Sequence, residues 1–100
     1  MKSGYKIEWT DNALDELKAT FKYLEDNWTD RELSRLSNEL DRVLNLISIN
    51  PGLFPISEDQ NIRRVVIIKL NSLYYREIAG KRVEILSFFA NRQNPSKRKI

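Results

Sequence analysis

The chain has 100 residues, 41% hydrophobic and 31% charged, with 17 Lys/Arg against 14 Asp/Glu for a net charge of +3. That length and mix describe a single soluble domain, residues 1–100, with a feasible though small core. Cysteine and histidine are both absent, which excludes disulfides, thiolate and imidazole metal ligands, a Ser-His-Asp triad and a histidine general base. We expect no cofactor and no metal. No apolar run is long enough to span a bilayer and the start lacks a signal-peptide core, so a cytoplasmic protein with no membrane partner is expected.

Tyr5-Lys6-Ile7-Glu8-Trp9 alternates apolar with charged, the period of a half-buried strand with Tyr5, Ile7 and Trp9 inward. Thr10 or Asp11 then caps a helix, a side-chain oxygen taking an orphan backbone N–H. That helix is expected over 11–27. Leu14, Leu17, Phe21, Leu24 and Trp28 recur at 3-4 spacing as one stripe. The stripe either docks a partner or packs on the domain's own sheet, and an amphipathic helix normally does the second.

Thr29-Asp30-Arg31-Glu32 matches a capping box, with reciprocal bonds expected between Thr29 and Glu32. A second helix follows to about Ile49. Leu33, Leu36, Leu40, Val43 and Ile47 form its stripe and Leu44 widens it. Helices joined this closely form an antiparallel hairpin. Asn50-Pro51-Gly52 stops the second helix, since proline cannot continue the ladder. In the loop that follows, Leu53, Phe54, Pro55 and Ile56 are expected to tuck under the sheet edge, and Glu58-Asp59 is a solvated acidic pair.

Residues 62–89 read as three strands, 62–70, 73–78 and 82–89, separated by Asn71-Ser72 and Ala79-Gly80-Lys81. Short β-branched or aromatic runs between tight turns form an antiparallel meander. The fold class is α+β in the order β-α-α-β-β-β, an antiparallel sheet covered on one face by the helical hairpin. Of the first meander strand's two faces, Arg64-Val66-Ile68-Leu70 is the more apolar and is placed toward the helices. Arg63 and Lys69 then lie on the open face. With Arg76 and a tyrosine nearby, that face either binds a phosphate backbone or is a solvated cationic surface.

Charge divides with the elements. Residues 1–59 hold 7 Lys/Arg against 12 Asp/Glu, a net of −5, and residues 60–100 hold 10 against 2, a net of +8. The basic half suits an anionic partner, nucleic acid or an acidic protein segment, although solubility alone also accounts for it. Residues 92–100 form a basic tail. Arg92 stands where the last strand leaves the sheet, with Lys97 and Arg98 beyond it.

Ile7-Glu8-Trp9-Thr10 before Ala13-Leu14-Asp15-Glu16-Leu17, then Tyr75-Arg76, then Val83-Glu84-Ile85-Leu86 running into Asn91-Arg92-Gln93-Asn94-Pro95, resembles the RelE/ParE superfamily of bacterial toxins. The likeness is to members described as plasmid stabilisation proteins, and it covers essentially the whole chain. It implies the toxin of a type II toxin–antitoxin pair, neutralised by a cognate antitoxin that lays a segment over an apolar groove near the C-terminal strand. ParE-like members block DNA gyrase and RelE-like members cut mRNA on the ribosome. A homodimer is compatible with either, and a non-toxic nucleic-acid-binding domain is a third reading. For a nuclease, the resemblance implies Arg92 and Lys69 as the charge-stabilising residues, and Arg76, from the reading of the sheet face, is a third candidate. Arg63, Lys69, Arg76, Arg92, Lys97 and Arg98 are the binding candidates. Residues 93–100 lack the tyrosine or histidine that often completes the nuclease site, which favours the gyrase-blocking reading.

Overall fold

The computed structural model describes residues 4–27, 29–57, 61–68 and 71–90. Trp28, Glu58-Asp59, Lys69 and the tail with Arg92, Lys97 and Arg98 lie outside them. The element order is β1 (Lys6–Trp9), α1 (Asp11–Asn27), α2 (Asp30–Ile49), a 3₁₀ turn (Pro51–Leu53), β2 (Arg63–Ile67), β3 (Asn71–Ile78) and β4 (Arg82–Ala90).

The helix ends form where the sequence signals stand. Thr10 caps α1, its Oγ1 accepting the Ala13 N–H at 3.1 Å. Thr29 caps α2 by accepting the Glu32 N–H at 3.3 Å. The return bond from Glu32 is not made among the described residues, so the capping box is half formed. Asn50 closes α2, its N–H donating to Leu46 O, and its side chain accepts the Gly52 N–H.

The sheet order is β1-β4-β3-β2. β2 with β3 and β3 with β4 pair antiparallel, as a meander should. β1 joins the far side of β4 in parallel, Ile7 opposite Val83 and Trp9 opposite Ile85. The sheet is therefore mixed, where an all-antiparallel one was expected. At the β3–β4 turn Gly80 and Lys81 take φ +85° and +56°, and the glycine adopts that left-handed conformation without a Cβ clash.

Leu36, Leu40, Val43 and Ile47 of α2, Ala13 and Leu24 of α1, and Val65, Ile67, Leu73, Tyr75, Val83, Ile85 and Phe88 of the sheet form one buried cluster. The line of α1 that goes deepest is Ala13, Thr20 and Leu24, while Leu14 and Phe21 are half buried. The stripe is rotated slightly from the expected one, because small Ala13 and Thr20 let the helix backbone approach β4, its main neighbour.

The expected facing of the first meander strand is reversed. Val65 and Ile67 are buried, while Arg64 and Val66 are exposed. Arg63 thus lies on the helix-side face rather than the open one. The strand also stops early, at Ile67, because Ile68 turns to φ +52°, a costly conformation for a β-branched residue. The opposite face is not bare either, since Ser72 and Tyr74 are buried.

Candidate functional site

On the outer face, the β1–β4 register sets Glu8 opposite Glu84. Like charges directly across a ladder repel. Two arginines compensate: Arg76 Nε lies 2.8 Å from Glu84 Oε1 and Arg82 Nη1 lies 3.5 Å from Glu8 Oε1. Arg82 Nε also donates to Ala79 O at 3.0 Å. Arg76, expected to meet phosphate, is therefore committed to a carboxylate of its own sheet, with its side chain still 46% exposed.

Arg63 sits across β2–β3 from Tyr75. Its Nη1 donates to Phe54 O at 2.8 Å, and the Tyr75 hydroxyl donates to Pro51 O at 2.7 Å. Burial pushes the Tyr75 phenol above its ordinary pKa, opposed in part by the Arg63 charge. Together they fasten the 3₁₀ turn and the following loop to the sheet. Arg63 and Arg76 consequently lie on opposite faces, and the structure does not bring them together. Arg64 and Arg82 share the outer face with Arg76, and Arg64 Nη2 donates to Ser72 Oγ at 3.3 Å.

α1 is anchored to β4 by polar groups that the sequence did not flag. β4 shifts register between its pairings with Tyr74 and Tyr75, which leaves Leu86 without a partner across the ladder. Glu16 Oε1 accepts the Ser87 hydroxyl at 2.7 Å and the Phe88 N–H at 2.9 Å. Asn12 Nδ2 donates to Leu86 O, and the Thr10 hydroxyl to Ile85 O, both at 3.0 Å. The bulge leaves Leu86 unpaired and β1 ends opposite Ile85, so the first turns of α1 take the β4 groups beyond that point. The only advance signal was Thr10, read as a cap.

Among the described residues the large exposed hydrophobic side chains are Tyr23, Ile49, Leu53, Ile56 and Val66. The groove expected near the C-terminal strand adjoins residues 91–100, which lie outside the described residues. Pro55, Ile56 and Val66 line a depression of about 270 Å³ beside β2, one of the sheet's two edge strands. Of the loop expected to tuck in, Phe54 packs on the core, while Leu53 and Ile56 stay about half exposed. Ile56 bridges Arg63, and the Arg64 N–H donates to Pro55 O, so the loop shields the start of that edge. Among the described residues no group of three or more acidic side chains could hold a metal ion, and no helix is long and apolar enough to cross a membrane.

A helical hairpin on a four-stranded mixed sheet, in the order β-α-α-β-β-β, defines the class as small toxins of type II toxin–antitoxin systems. The chain belongs to the ParE toxin family of the parDE type II toxin–antitoxin system, whose family model matches residues 7–95. No curated protein matches the sequence. Solved structures that share the fold include the following two. The chromosomal ParDE toxin–antitoxin system from P. aeruginosa superposes with a TM-score of 0.70 at 18% identity, covering 86% of this chain and 95% of that one. The YoeB dimer from Staphylococcus aureus gives 0.57 at 18%, covering 85% and 94%.

Proposed function

We propose that this ParE-family toxin acts by binding DNA gyrase, cuts no nucleic acid itself, and is held inactive by a cognate antitoxin. RNA cleavage needs a group to activate the ribose 2′-hydroxyl, a group to protonate the leaving oxygen, and positive charge for the phosphorane. The observation that carries the reading is that Arg76 and Tyr75, the candidates on β3 among the described residues, are engaged elsewhere. Arg76 is bonded to Glu84, and the Tyr75 hydroxyl is buried against Pro51 with a raised pKa. The chain has no histidine to take over the proton transfer. The antitoxin covers the apolar depression at the β2 edge, where Val66 and Ile56 are exposed. Beyond the start that the loop shields, the rest of the β2 edge beside these apolar side chains is a template for a short extended segment.

Two assays on the purified chain test this. Supercoiling by gyrase should be inhibited, and primer extension on translating ribosomes should show no new mRNA ends. Cleavage in the second assay that disappears in Arg92→Ala would replace this reading with a RelE-like endonuclease.

A further inference from the structure

α2 carries a second periodic line that the core does not use. Arg31, Arg35, Asn38 and Arg42 recur at 4-3-4 spacing, so they stand in one row on the side away from Leu36, Leu40 and Val43. All four are exposed. Ile49, 74% exposed, continues the row at its far end. Beside it runs an open groove of about 680 Å³ whose wall includes Ser34 and the half-buried Ile68 at the end of β2.

The guanidiniums in the row are not equivalent. Glu39 grips Arg42 through two bonds, 3.0 Å to Nε and 2.6 Å to Nη2. Among the described residues no carboxylate lies within 4.0 Å of Arg31 or Arg35. Their Cα atoms are one helical turn apart, about 6 Å along the axis.

We propose that this face of α2 docks an acidic helical segment of a partner protein, with carboxylates one turn apart on Arg31 and Arg35 and an apolar side chain against Ile68. Charge pattern selects that occupant over nucleic acid. α2 holds three arginines but four acidic residues, Asp30, Glu32, Glu39 and Asp41. A phosphate backbone carries a charge at every nucleotide and would meet those carboxylates as well. A protein segment places its charges selectively and can pass between them. Arginine's planar fork also matches a carboxylate through paired bonds, the geometry Arg42 already shows with Glu39. The inference is independent of whether gyrase is the toxin's target.

The test uses fluorescence anisotropy of the full chain with three labelled probes, at low and at raised salt. One is a short helical peptide with glutamates one turn apart and a leucine between them. The second has glutamine in place of the glutamates, and the third is an oligouridylate. The glutamate peptide should bind, and the glutamine peptide should bind at least about tenfold more weakly. The double variant Arg31→Glu/Arg35→Glu should weaken the glutamate peptide by at least about tenfold with unchanged helical circular dichroism. Lys18→Glu/Lys22→Glu on α1 should change it by less than about twofold. If the α2 reversal unfolds the chain, Arg31→Gln/Arg35→Gln carries the same comparison. The proposal is overturned if the peptide does not bind, if the α1 reversal weakens it equally, or if the oligouridylate binds more tightly and loses that binding in the α2 variant.

Discussion

Tyr75 is the residue on which loop and sheet meet. Its hydroxyl reaches the carbonyl of buried Pro51, and a buried acceptor left without its donor costs about 1–3 kcal/mol. Tyr75→Phe should therefore lower the melting temperature, by about 4–8 °C for each kcal/mol in a domain of this size. The same phenol predicts a pH dependence. Its folded pKa is raised above the ordinary 10.0. The contribution is full below the unfolded value of about 10 and is lost as pH rises through the folded value, where the unfolded chain releases the proton more readily. An ultraviolet titration should show Tyr75 ionising later than a free tyrosine, together with alkaline unfolding, and Tyr75→Phe should remove its share of that late step, while Tyr5, hydrogen-bonded with Glu77, also ionises late. Arg63, the neighbour expected to meet a ligand, bonds instead to the Phe54 carbonyl. Sequence alone gave its charge and strand but not its face. The expected strand ran on to Leu70, and counting Ile68 and Leu70 made the Arg64-Val66 face look the more apolar. With the strand ending at Ile67, only Val66 is apolar on that face and the balance reverses.

At the scale of elements, the caps, the helix stop at Asn50-Pro51 and the Gly80 turn were legible because each is a local signal with a local cause. The Leu86 bulge and the polar anchor beneath it were not, since Glu16 and Ser87 stand 71 residues apart. That anchor predicts a measurable effect. Hydrogen bonds to a charged group contribute about 1.5–3 kcal/mol each, so Glu16→Ala should destabilise the domain well beyond an ordinary surface substitution. Chemical denaturation should show the midpoint fall with its slope unchanged. Thr29→Ala, which removes an exposed cap, should cost about 1 kcal/mol, and the circular dichroism loss on heating should begin earlier. If Glu16→Ala proves as mild as Thr29→Ala, the anchor holds α1 less firmly than its distances imply.

For the whole molecule, the order β-α-α-β-β-β could be read from hydrophobic period, but the parallel seat of β1 beside β4 could not. Pairing between strands so distant in the chain leaves no local trace. Charge was legible in sum and misleading in place. Averaging residues 1–59 to a net of −5 concealed the arginine row on α2, while the meander's Arg76 and Arg82 turn out to neutralise Glu84 and Glu8. Arg76 and Arg82 pair with the sheet's own carboxylates and Arg63 with a loop carbonyl, and on that ground we propose recognition by surface rather than the cutting of a phosphodiester. The topoisomer distribution of a reporter plasmid in cells induced to express the chain decides between the two. A shift toward relaxed forms is expected while mRNA remains intact. Plasmid that stays fully supercoiled while messages are cut would contradict it.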